Sequence, residues 1–156
     1  MDSENLTQIL ITWGYPGLFL ASFVAGSTIP FASEVVLFGI LKFMGAETFY
    51  QVLPWLLCAT VGNTLGGMTC YLIGHLGKVE WVEKYLHVKK EKVDRMQVFL
   101  QGKGSLMAFF CFLPAIGTAI AVALGFMRSN LTLTTSSMFT GKFLRYCVIW
   151  AVAVIV

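Results

Sequence analysis

Apolar residues run along this chain in long uncharged blocks, interrupted by one polar stretch. No Asp, Glu, Lys or Arg occurs in 5–33, 48–77 or 104–127. A helix needs about 20 apolar residues to cross the hydrocarbon of a bilayer, so each block is long enough to span or to enter and turn back. Residues 49–75 read as one span, rich in the small residues Gly62, Gly66 and Gly67 that let helices approach closely. Residues 131–156 read as another. That run is still apolar at Val156, which leaves open whether a further segment follows.

Two stretches do not read as simple spans. In 26–45, Pro30 interrupts the run, Ser27, Thr28 and Ser33 are polar, Glu34 is ionisable, and Gly39 and Gly45 follow. So short a segment cannot cross about 30 Å of hydrocarbon twice, which predicts a re-entrant hairpin. Pro lacks an N–H and restricts the residue before it, so Pro30 and Gly39 are expected to shape the turn. The same form recurs at 105–128, where Pro114, Gly117 and Gly125 interrupt an apolar run that ends at Arg128. Non-helical backbone at that depth must be buried in protein or line a watery cavity.

The halves echo one another. Gly14, Leu18 to Phe23 and Pro30 parallel Gly102, Leu106 to Phe110 and Pro114; Gly62-Asn63-Thr64-Leu65 parallels Gly141-Lys142-Phe143-Leu144. The predicted fold is an all-α integral membrane protein in a single domain over 1–156. A first repeat covers 6–77 and a second 104–156, each a hairpin followed by a span. The polar stretch 78–103 separates them, so the hairpins are expected to enter from opposite faces, the inverted-repeat plan of many secondary transporters.

Charge sharpens this picture. The chain is 57% hydrophobic and 12% charged, with mean hydropathy +0.77; soluble domains carry about 25% charged residues. A 17.2 kDa globule has too little interior for that much apolar surface. A disulfide scaffold, a nucleic-acid binder and a disordered tail are excluded. Residues 78–103 hold Lys78, Lys84, Lys89, Lys90, Lys92, Arg95 and Lys103, seven of the eleven basic residues. Such loops stay cytoplasmic. Val79, Val82, Leu86, Val93, Met96 and Phe99 are spaced as on an amphipathic helix, which fits a lipid-surface helix or a connector packed on its own protein equally well. The leader Met1 to Asn5 is acidic, unlike a cleaved secretory signal.

The few charges left inside apolar sequence are the candidate site. A carboxylate at membrane depth is costly unless paired, hydrated or protonated, and commonly lines a pathway or relays protons; Glu34 is that residue. Lys142 and Arg145 lie three apart on one helix face, and the planar Arg fork with the compact Lys charge suits an anionic lipid headgroup. Asn63 is expected to face them across the repeat, with hydroxyls from Thr118 and Ser33. Interfacial snorkelling of Lys142 and Arg145, or an internal Arg145–Glu34 salt bridge, remain open readings. Arg128 is expected to cap the second hairpin at the interface. Trp13, Tyr50, Trp55, Trp81 and Tyr146 fit interfacial belts or lipid contacts. Cys58, Cys70, Cys111 and Cys147 form no CxxC and read as reduced core residues. No metal and no cofactor are expected.

These motifs resemble the DedA family of membrane proteins, also described by SNARE-associated or VTT-type domains. Ile29-Pro30-Phe31-Ala32-Ser33-Glu34 with Gly39 looks like its first hairpin. Gly62-Asn63-Thr64-Leu65-Gly66-Gly67, followed by Tyr71-Leu72-Ile73-Gly74, looks like its Gly-rich helix, and 109–128 like its second hairpin. The short YqaA-type branch is the nearest in pattern. The resemblance implies a bacterial inner-membrane location, opposed re-entrant hairpins, and movement of lipid carriers such as undecaprenyl phosphate, coupled to protons. The chain departs from the pattern where arginines flank the second-hairpin proline, here Cys111 and Gly117; where the Gly-rich helix carries an acid, here Gly67; and where a base follows the Tyr-x-Ile-Gly, here His75. Lys142 and Arg145 can supply the missing positive charge from another helix.

The leading expectation is a non-enzymatic carrier that moves or flips an anionic lipid through a cavity between the hairpins. A proton-coupled small-ion exporter using Glu34, or a non-catalytic assembly or stability factor, are the alternatives. An enzyme of lipid phosphates would want a poised pair of acid–base groups, and one intramembrane acid does not supply it. Two hairpins and few spans make a small monomer, which favours a homodimer.

Overall fold

The computed structural model describes residues 3–27, 32–45, 48–77, 79–86, 88–100, 104–113 and 116–155. These residues are almost entirely helical, with no strand among them. In chain order they form α1 (Ser3–Ser27), α2 (Ala32–Met44), α3 (Phe49–His75), α4 (Val79–Leu86), α5 (Lys90–Leu100), a 3-10 segment (Gly104–Phe112), α6 (Gly117–Phe126) and α7 (Leu131–Ile155). α3 and α7 are long and apolar enough to cross a membrane. They coincide with the two spans read from the sequence.

α3 is the central helix because its glycines let three neighbours come close. A methyl group at Gly62 or Gly66 would collide with the Phe19 or Phe23 carbonyl of α1. One at Gly74 would strike the Val122 carbonyl of α6. One at Gly125 of α6 would strike the Tyr71 carbonyl of α3. On α7, Gly141 admits the carbonyl of Phe109 in the 3-10 segment. Between these backbone contacts lie two apolar clusters. Leu18, Leu37, Val52, Leu56 and Tyr146 join α1, α2, α3 and α7. Cys70, Val93, Leu100, Val122, Leu124 and Met138 join α3, α5, α6 and α7.

Several expectations change here. Residues 32–44 are one uninterrupted helix, so the limb preceding the first turn is the long α1. Gly39, expected to shape the hairpin, lies mid-helix in α2 with nothing within 4 Å of where its β-carbon would stand. The glycine that closes α2 is Gly45, at φ 56, a left-handed conformation that suits a residue without Cβ. Gly125, also read as hairpin-shaping, serves the α3–α6 packing instead. Gly117 does sit at the second break, against the Cys111 carbonyl. Pro30 and Pro114 lie outside the described residues.

The polar stretch forms two short helices rather than one. Val88, Val93 and Leu100 are buried, and Met96 packs beside them against α6. That is the connector packed on its own protein.

Arg128 caps α6 through its backbone. Its N–H donates to the Gly125 carbonyl at 2.9 Å, and the Ser129 N–H reaches back to Leu124 at 3.1 Å, the paired bonds of a Schellman ending. Arg128 itself sits at φ 50 with an exposed side chain, and a left-handed conformation costs an L-residue about 1–2 kcal/mol. Arg128→Gly is therefore expected to raise stability by about 0.5–1 kcal/mol, read as a higher unfolding midpoint in mild detergent. An unchanged or lower midpoint would count against the strain. Asn130 then caps α7 from just before its first residue, its side-chain oxygen accepting the Leu133 N–H at 3.1 Å.

Candidate functional site

α7 presents one row of buried residues to α3: Thr134, Met138, Lys142 and Tyr146, spaced four apart. Arg145 lies beside that row. A methyl group at Gly67 of α3 would meet the Met138 sulfur at 2.6 Å and the Lys142 ammonium nitrogen at 2.8 Å. The small residue thus leaves the space that Lys142 fills. Lys142 is 4% exposed, and its Nζ donates to the Asn63 carbonyl at 2.5 Å. It does not snorkel to an interface.

Lys142 and Arg145 open onto one narrow cavity, part of it open to the surroundings. Asn63 and Gly67 line it from α3, Gly117 and Thr118 from the first turn of α6, and Cys111 from the 3-10 segment. The helix start adds its partial positive charge to the same wall, with the Gly117 N–H itself bonded to the Leu113 carbonyl at 2.9 Å.

Arg145 is engaged on both sides of its guanidinium. Nη1 donates to the Phe112 carbonyl at 2.5 Å. Nη2 forms an ion pair with Glu34 Oε1, on the first turn of α2. The carboxylate read as a lone intramembrane acid is therefore the partner of the arginine, the internal salt bridge that the sequence left open.

Next to that pair, the Asn63 amide donates to the Tyr146 hydroxyl at 2.8 Å, and Tyr146 donates to Ser33 Oγ at 2.9 Å. Tyr146 and Trp55, read as interfacial aromatics, are 1% and 4% exposed. Trp55 stacks on Tyr15 with ring centroids 3.9 Å apart. Tyr146 was the functional neighbour that the sequence reading missed. Its signal was position, four residues after Lys142 and hence on the same face.

The structure thus brings together Glu34, Asn63, Thr118, Lys142 and Arg145, with Gly117. It leaves Gly39, Gly125 and Arg128 away from the cavity lining. Arg128 ends α6 and is solvent- or lipid-facing.

Fold and site define a helical membrane protein with a buried, basic, partly polar cavity between its helices. Relatives agree with that class. The chain is 29% identical to the inner membrane protein YqaA of Escherichia coli over 139 residues, 88% of this chain and 89% of the relative. It is 29% identical to the alkaline phosphatase-like protein of Lactococcus lactis subsp. cremoris over 140 residues, 82% of this chain. It is 29% identical to the membrane protein YkoX of Bacillus subtilis over 136 residues, 80% of this chain. These similarities fit a DedA family, YqaA-like assignment. The chain spans 64% of the length of the Lactococcus protein and 59% of YkoX. No family model and no solved structure matches.

Proposed function

We propose that the protein is an inner-membrane carrier that moves an anionic lipid headgroup through the cavity between its helices. The observation that carries this is Lys142. A buried ammonium has three donors to satisfy, and an unpaired buried charge is costly. Among the described residues Lys142 makes one hydrogen bond, to a backbone carbonyl, and it lines the cavity. Arg145, by contrast, has a carboxylate of its own. The charge left over is the one an incoming anion would satisfy.

The inverted repeat belongs to the same proposal. Asn63 and Lys142 are matched positions of the two Gly-x-x-Leu segments, and they touch. Matched residues contact one another near a pseudo-twofold axis, which is where such folds place their substrate site. On this plan the α1–α2 and 3-10–α6 pairs are the two re-entrant hairpins, and 78–103 lies on the cytoplasmic face. The groups that line the cavity serve to bind and carry, without enzyme chemistry.

The test is a flip assay in proteoliposomes with a headgroup-labelled anionic phospholipid quenched from outside. The native protein should expose label from the inner leaflet faster than empty vesicles. Lys142→Met, which keeps the length and apolar stem, should fall to the empty-vesicle rate while eluting and unfolding like the native protein. A Lys142→Met protein that flips lipid at the native rate would exclude the site.

A further inference from the structure

The charges around the cavity sum to a small number, and that number has a consequence. Among the described residues, the charged side chains on its wall are Lys142 and Arg145, and Arg145 is balanced by Glu34. One positive charge remains. We infer that the Glu34–Arg145 pair fixes the valence of the anion accepted beside Lys142, so that a phosphodiester monoanion is preferred over a phosphomonoester dianion, with Glu34 as the specificity-determining residue. This rests on the anion-site reading above and goes beyond it by naming the headgroup class.

Some groups at the site bind any phosphate, and the charge count favours a diester. The planar fork of Arg145, the group that best matches a carboxylate, is already occupied by one. What remains is a compact ammonium on α7 and the Thr118 hydroxyl on α6, point donors from two directions that suit a tetrahedral phosphate. The partial positive charge at the start of α6 attracts either anion and does not choose between them. A second negative charge on the ligand would have no counter-charge unless Glu34 left Arg145, and it would sit close to that carboxylate. Rejection of a ligand by an unpaired or like charge is a common route to specificity.

Glu34 therefore acts as a tethered anion that pre-empts the second cationic group. Removing its charge leaves that of Arg145 uncompensated, raises the site to two positive charges, and should admit the dianion. The pair also explains why Glu34 and Arg145 are held by different helices. Each is kept in place independently of the ligand, Glu34 by α2 and Arg145 by the Phe112 carbonyl.

The experiment is a binding titration of the full chain in neutral detergent at pH 8. The probes are dioctanoyl phosphatidylglycerol, a diester monoanion, and dioctanoyl phosphatidic acid, a monoester with the same tails and close to two charges. The native protein should bind the diester about tenfold more tightly, the scale of an uncompensated buried charge discounted for partial exposure. Glu34→Gln should gain about tenfold for phosphatidic acid and lose the preference, and Glu34→Asp should restore it. The native ratio alone decides the matter if a variant fails to fold. Dimethyl phosphate competes with the lipid if free diesters suffice and does not if the acyl chains are needed; either result supports a diester site and identifies its source. Equal or reversed affinity in the native protein, lost in Lys142→Met, would overturn the valence rule and leave the anion site standing. Binding of neither lipid above the Lys142→Met level would remove the site and the rule together.

Discussion

Arg145→Ala is expected to destabilise the protein by about 2–3 kcal/mol, and a second substitution at Glu34 to give most of that back. The single change strands a carboxylate at the edge of an apolar interior and leaves the Phe112 carbonyl without its donor. Breaking a fully buried pair costs about 3–5 kcal/mol; the two side chains here keep 18% and 25% of their exposure, which lowers the figure. Glu34→Gln should cost less than Arg145→Ala, because the neutral amide still accepts from the guanidinium and Phe112 still holds the other nitrogen. In Glu34→Gln with Arg145→Ala no charge is stranded, so the double variant should be more stable than Arg145→Ala alone despite carrying two changes. Unfolding midpoints of the four proteins in one detergent give the coupling directly. Strict additivity would mean that the pair is not formed in the membrane protein. Coupling of about 2 kcal/mol would show that α2 is fastened to α7 through it, beside the Ser33–Tyr146 contact.

The parts of this molecule legible in the sequence are those where a residue type has one structural use. Long apolar runs marked out α3 and α7 almost to their ends, because nothing but helix satisfies backbone groups in hydrocarbon. Lys142, Arg145 and Asn63 were legible for the same reason, since a polar group inside such a run needs a partner. Glycine is ambiguous. Its lack of Cβ serves equally for a turn, a left-handed cap or a close helix crossing, and only the neighbouring chain decides. Gly39 and Gly125 were misread on that account. Tyr146 was hidden by its amphipathic nature: a phenol suits a membrane interface and a buried hydrogen-bonded position alike. The linker divides between α4 and α5 where a single apolar period was read through, because spacing in threes and fours persists across a short interruption.

The ambiguity of glycine leads to two opposite expected results on adjacent helices. At Gly66 a methyl group would drive into the Phe23 carbonyl, which is backbone and cannot rotate away, with the α-carbon of Gly26 at 3.0 Å behind it. Gly66→Ala should force α1 and α3 apart and cost about 3 kcal/mol, the upper end for overpacking, because the contact that yields is a whole helix. Gly66→Val should leave little folded protein. Ser27 Oγ accepts or donates across the same crossing, reaching the Gly66 carbonyl at 3.4 Å and Thr69 at 3.4 Å, so its contacts loosen with it. At Gly39 the same methyl group meets open space, and α2 runs helical through it. Ala there removes the conformational freedom that glycine adds to the unfolded chain, so Gly39→Ala should stabilise by about 0.5–1 kcal/mol. Thermal unfolding followed by circular dichroism in detergent measures both. If Gly39→Ala instead lowers the midpoint and Gly66→Ala leaves it unchanged, the first turn lies at Gly39 as the sequence pattern alone would have it, and the α1–α3 crossing is not made through glycine.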